Sequence, residues 1–143
     1  MVVKQISVFL ENKSGRLAEV TRILGEKNID ISALSIADTT NFGILRLIVN
    51  KPEEAEIALK ENGFTVTGTS VLAIAIDDTP GSLAKALDAI TLKGISIDYM
   101  YAFIGKTQAK ALVILKVDDI QNAIASLNSN DIRVLKADEV YSL

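Results

Sequence analysis

The sequence has no histidine, no cysteine and no tryptophan, only two prolines, and just 5% aromatic residues in 143 positions. Without cysteine there are no disulfides and no thiolate sites, which suits a reducing compartment and sets the expectation of a cytoplasmic protein. Without histidine the commonest general base, the Ser-His triads and most zinc sites are excluded. Catalysis would have to rest on Asp, Glu, Lys or Tyr, so a non-enzymatic role is expected, with no cofactor and no metal. No apolar run approaches the roughly 20 residues of a membrane span, and no signal peptide opens the chain, so no membrane partner is expected. Fifteen Lys and Arg stand against 18 Asp and Glu, a net charge of −3. The signs are scattered, which leaves no basic footprint for nucleic acid.

What the chain does have is a repeat. The segment from Glu11 to Ile31 returns from Asp77 to Ile97 at a constant offset of 66. Gly15 answers Gly81, Leu17 answers Leu83, Lys27 answers Lys93, and Ile29 and Ile31 answer Ile95 and Ile97. After a gap of two the match resumes, with Val49, Ala55, Leu59, Asn62 and Val66 answering Val117, Ala123, Leu127, Asn130 and Val134. Repetition at a fixed period defines the architecture before any local reading. Two domains are expected, residues 1–69 and 70–143. Units this small are marginal alone, so each is expected to lean on its twin.

Within the first copy, Val2 to Leu10 reads as a strand and Gly15 to Lys27 as a helix with a stripe of Leu17, Val20, Thr21 and Leu24. Asn28 stands at a left-handed C-cap, where the second copy has Gly94. Strands follow at Ile29 to Asp38 and Phe42 to Val49, a helix from Pro52 to Asn62, and a strand from Phe64 to Gly68. The second copy repeats this order: strand Val71 to Ile76, helix Gly81 to Lys93 with a Leu83, Ala86, Leu87 and Ile90 stripe, then strands, helix and strand to Leu135. The order is βαββαβ twice. That predicts an α+β fold of two tandem ferredoxin-like units, each an antiparallel sheet with helices on one face, packed together side by side.

The residues at these turns resemble a known family. N-K-S-G-R-L-A at Asn12 to Ala18 and D-T-P-G-S-L-A at Asp78 to Ala84, each followed by a helix and Ile-x-Ile, are similar to the ACT domain. The stretch from Ile97 to Phe103 looks like the stand-alone tandem ACT proteins. The resemblance implies a regulatory protein that binds a small molecule, usually an amino acid, at the interface between ACT units. It further implies a homodimer through the ACT sheets, or docking on a metabolic enzyme or regulator, as partners to look for.

Physical chemistry supports such a site at the helix starts. The first turn of a helix offers unpaired N–H groups and a positive dipole end, and a glycine lets a ligand approach the backbone. Asn12, Lys13, Ser14, Gly15, Arg16 and Leu17 therefore form one candidate cradle, and Asp78, Thr79, Pro80, Gly81, Ser82 and Leu83 the other. The plainer reading is that Asn12 caps the helix and Gly15 permits the turn. In the family the residue between the isoleucines reaches the neighbouring unit's ligand, which would join the first cradle to Ile95 and Ser96 and the second to Ile29 and Asp30. The second pocket would gather Asp30, Asp77 and Asp78, which repel an anionic group, so the first is expected to be the stronger carboxylate site. Tyr99, Tyr101 and Phe103 fall on one strand face, as core packing or as a wall for the ligand. The competing function is a ligand-independent dimerisation or enzyme-docking module.

Overall fold

A computed structural model of the chain describes residues 2–11, 13–38, 41–104 and 110–143. The chain divides into two compact units. The N-terminal unit comprises Lys4–Thr69 with Tyr141–Leu143, and the C-terminal unit Ser70–Val140 with Met1–Val3. The first contains β1 (Val3–Glu11), α1 (Arg16–Glu26), β2 (Ile31–Asp38), β3 (Phe42–Val49), α2 (Pro52–Glu61) and the opening of β4 (Thr65–Asp77). The second contains the rest of β4, α3 (Ser82–Thr91), β5 (Ile97–Ala102), β6 (Lys110–Val117), α4 (Ile120–Ser129), β7 (Arg133–Val134) and most of α5 (Ala137–Tyr141). The turn expected at Asp38 to Asn41 includes two residues outside the described ones.

In the first unit the strands run β2-β3-β1-β4, and in the second β5-β6-β4-β7. Counted within each copy this is the order 2-3-1-4 twice, so the tandem ferredoxin-like α+β fold is what the structure shows. The register repeats as well. Ile6 pairs with Leu47 and Val8 with Leu45, while Leu72 pairs with Leu115 and Ile74 with Val113. A bulge between Ile31 and Ala33 returns between Ile97 and Tyr99.

Each unit has its own core on the helix side of its sheet. Ile6, Val8, Leu45 and Leu47 meet Val20, Leu24 and Leu59 in the first. Leu72, Ile74, Val113 and Leu115 meet Ala86, Ile90 and Leu127 in the second. The buried face of α1 is Val20, Ile23 and Leu24. This corrects the expected stripe: Leu17 is 40% exposed, and Thr21 is exposed with its hydroxyl donating to the carbonyls of Leu17 and Ala18. Thr21 and Leu17 lie on the side of the helical arc away from Ile23, so the face centred on Ile23 and Leu24 wins. In α3 the same turn of the wheel brings Ala89 into the core and leaves Leu83 and Leu87 partly buried.

The helix ends explain why Asn and Gly exchange between copies. Asn28, Gly63, Gly94 and Asp131 all have positive φ, between 56° and 85°. After α1 the Asn28 amide donates to Gly25 and the Ile29 amide to Leu24. After α2 Gly63 donates to Lys60 and Phe64 to Leu59, and after α4 Asp131 donates to Asn128 and Ile132 to Leu127. These are paired C-terminal caps that satisfy the last carbonyls and fold the next apolar residue inward. At the end of α3 the Lys93 amide turns to Ile90. Ala89's carbonyl instead accepts from the buried Ser126 hydroxyl of α4, at the position where the first copy has Ala58.

Two other features depart from expectation. The two strands expected on either side of Gly68 to Ser70 are one, because β4 continues through these residues as a single strand of 13 residues. Gly68 stays small for a local reason: a Cβ there would stand 2.6 Å from Lys4 Cε. α5, a five-residue helix, has no antecedent in the repeat.

Lys4 donates from Nζ to Glu53 at 2.8 Å and to Glu56 at 2.6 Å. Hydrogen bonds to Glu53 and Glu56 raise the Lys4 ammonium above its ordinary 10.5, and bonds from Lys4 and Lys60 hold Glu56 below its ordinary 4.5. The lowered carboxylate stabilises fully above 4.5 and loses that contribution as pH falls through its folded value. The raised ammonium stabilises fully below 10.5 and loses it as pH rises through its folded value. Lys4→Ala should therefore lower the melting temperature by up to a few degrees at neutral pH, the pairs being partly exposed. Melting curves of both proteins should converge toward acid, below 4.5, and toward strong base.

Candidate functional site

Both first helices of the repeat start on a glycine in the left-handed region, Gly15 at φ 87° and Gly81 at φ 89°. Only glycine adopts that conformation without strain. The N-cap residue of each is thus one with no side chain, whereas α4 is capped by Asp119 accepting from the Asn122 amide. The Arg16 amide reaches back to the Lys13 carbonyl at 3.4 Å, and the Ser82 amide to Thr79 at 3.2 Å. Each copy therefore opens its first helix from a left-handed glycine turn, where backbone N–H groups and the dipole favour an anionic ligand group.

The side chains around the two starts differ. Asn12 lies outside the described residues. Lys13 and Ser14 are exposed, and Lys13 Nζ pairs with Glu11 at 2.9 Å. The Lys13 hydrogen bond, with Lys13 and Arg16 charge behind it, holds the Glu11 carboxyl below its ordinary range. In the second copy Thr79 and Ser82 share a hydroxyl–hydroxyl bond of 2.7 Å, Pro80 and Gly81 are exposed and Leu83 is partly buried. Lys110 pairs with Asp77 and, by hydrogen bonding first, lowers its carboxyl. The acidic cluster expected at this start thus carries a cation within it.

Ile29 and Ile95 are core residues of their own units, 5% and 6% exposed, so their side chains are not available to a ligand. Asp30 and Ser96 are exposed and held by matching backbone ties. Asp30 N–H donates to Asn50 Oδ1 at 2.9 Å, and Ser96 N–H to Asp118 Oδ1 at 3.0 Å. Within a unit these residues lie at the far end of the first helix, about 16 Å of helix for the 11 residues of α1. No unit brings its own cradle and its own Asp30 or Ser96 together.

The first unit does hold a pocket of about 370 Å³ beside the cradle. Its walls are the end of β1 at Phe9, Leu10 and Glu11, the first residue of α1 at Arg16, the start of β3 at Phe42, and the turn Gly63–Thr65. Three of the four phenylalanines of the chain line it. Phe9 and Phe42 lie 6.0 Å apart between ring centroids, and the Arg16 guanidinium stands 5.5 Å from the centre of the Phe64 ring, within cation–π range. Of these residues sequence reasoning named only Arg16 as a site residue. The missed signal was the clustering of phenylalanine at strand termini that the 2-3-1-4 order brings to one end of the sheet.

The aromatic run of β5 splits as alternation predicts, with Tyr99 and Tyr101 stacked at 6.5 Å and Tyr101 buried. Among the described residues no group of His, Cys, Asp or Glu stands close enough to hold a metal, and no helix is long and apolar enough to cross a membrane.

The ACT domain pair family model matches residues 1–143. A solved protein from Bacteroides thetaiotaomicron is 43% identical, covers 100% of this chain and 98% of its own, and superposes with a TM-score of 0.94. The regulatory subunit of aspartate kinase from Thermus thermophilus is similar in fold, at 18% identity, 89% and 91% coverage and a TM-score of 0.65. The Thermus flavus subunit resembles the chain equally, at 17%, 90% and 92%, and 0.62. No curated protein matches.

Proposed function

The chain belongs to the ACT domain family as a tandem pair, and from that premise we propose that it is a non-catalytic regulator whose ligand is an amino acid bound at the helix-start cradles. The observation that carries the reading is the pair of helix starts on left-handed Gly15 and Gly81. A glycine at that position in both copies keeps the backbone of each helix start open to close approach by a ligand. The regulatory role named for the Thermus subunits supports the same reading. Binding that favours one arrangement of the protein over another would then be read by a partner, with cytoplasmic location and a metabolic enzyme as the accompanying expectations.

Thermal unfolding against the twenty amino acids at millimolar concentration tests this. A ligand present at about 100 times its Kd should stabilise by roughly 2.7 kcal/mol, a clear melting shift. A selective, saturable shift supports the regulator. No shift from any amino acid favours a docking module that works without ligand.

A further inference from the structure

The pocket beside Gly15 carries a charge pattern as specific as its aromatic walls. Arg16 NH2 and Glu11 Oε1 stand 3.8 Å apart, too long for a hydrogen bond. Each has a closer partner elsewhere: Arg16 NH1 holds Glu19 at 3.1 Å and Lys13 holds Glu11 at 2.9 Å. A cation and an anion thus line the same pocket as a loose ion pair that is not hydrogen-bonded. Arg has five donors in a fixed fork and a carboxylate about four acceptor sites, so both retain capacity for a further partner. A ligand bearing an ammonium and a carboxylate on one carbon matches that pair. Beyond the charges lie Phe9, Phe42 and Phe64, which offer apolar surface and aromatic faces.

The second copy keeps the acid, as Asp77, but neither the arginine nor the aromatic walls. At the positions of Phe9, Phe64 and Arg16 stand Ala75, Ile132 and Ser82. The register sets Phe42 opposite Glu11 and Lys110 opposite Asp77, so Lys110 replaces Phe42 and closes directly onto the acid. Two copies that agree in strand order, register and core differ in the residues that line this pocket in the first.

We propose that this pocket is a single site per chain for an α-amino acid with a large apolar or aromatic side chain, Glu11 taking the ammonium, Arg16 the carboxylate, and Phe9, Phe42 and Phe64 the side chain. The proposal rests on the amino-acid-binding reading above and names the ligand class and the copy that binds it. Phe9 and Phe42 are 39% and 41% exposed, so truncating them leaves the core filled.

The test is titration calorimetry of the intact chain with phenylalanine, leucine, serine, aspartate and lysine, and with 3-phenylpropionate and phenethylamine, which each lack one charge. Phenylalanine or leucine should bind once per chain, at least tenfold more weakly in Phe42→Ala and in Glu11→Gln, with unchanged melting of the free proteins as the control. Either single-charge probe should bind at least tenfold more weakly than phenylalanine. A small or charged amino acid bound with equal affinity by wild type and Phe42→Ala, or two equivalents per chain, overturns the inference and leaves the regulator standing. Binding of none of the amino acids overturns both.

Discussion

Leu59→Ala should destabilise the protein by about 2–5 kcal/mol, the usual cost of emptying a fully buried leucine site. Leu59 is 0% exposed and lies in the first core with Ile6, Leu24, Leu45 and Leu47. Its carbonyl also accepts from the Asn62 and Phe64 amides at the end of α2, so the helix end is fixed around the same residue. A loss of that size is a large share of the stability of a unit this small. The control is two residues away. Ile57, on the same helix, is 58% exposed, and Ile57→Ala should change stability by no more than about 0.5 kcal/mol. Urea titration with an unchanged slope separates the two. Equal midpoints for both variants would mean that α2 does not present the face assigned to it.

The same helix shows what sequence can reveal and what it cannot. Spacing located every helix of the repeat within a residue or two, because each carries apolar residues at helical intervals and ends on a residue tolerant of positive φ. The structure carries the repeat into register: Ile6 meets Leu47 as Leu72 meets Leu115. The choice of buried face was less legible. Leu17, Val20, Thr21 and Leu24 make as regular a stripe as Val20, Ile23 and Leu24, and only the packed sheet decides between them. α5 was hidden because five residues carry no period, and the continuity of β4 because Gly68 reads as the end of a strand when its role is to clear Lys4.

The pocket was the least legible part. Phe9, Phe42 and Phe64 are separated by 33 and 22 positions, and each looks unremarkable alone, as the end of a strand or the residue after a cap. They meet because antiparallel order puts the end of β1 beside the starts of β3 and β4. Arg16 was visible as a helix-start residue, yet its place above Phe64 depends on the inward fold of the chain after Gly63. Comparing the copies at these positions would have been the available signal, since the repeat breaks there while holding elsewhere.

Gly15→Val and Gly81→Val should each cost about 1–3 kcal/mol, and by similar amounts. Nothing lies within 4 Å of a Cβ built on either glycine, at φ 87° and 89°. Crowding therefore contributes nothing, and the whole cost is that of holding a β-branched residue in the left-handed region. Alanine should cost less than valine, and asparagine least of all, because its short polar side chain tolerates that conformation. The chain already makes this exchange elsewhere, with Asn28 standing where the second copy has Gly94 and Asp131 where the first has Gly63. Gly25 gives the opposite sign: it sits inside α1 without positive φ and with open space at its Cβ. Gly25→Ala should stabilise by about 0.5–1 kcal/mol through helix propensity. Urea midpoints should therefore rank Gly25→Ala above wild type, then Asn, Ala and Val at position 15. A flat series at that position would mean that backbone conformation does not hold the glycine there, and the case for an open helix start would lose its physical basis.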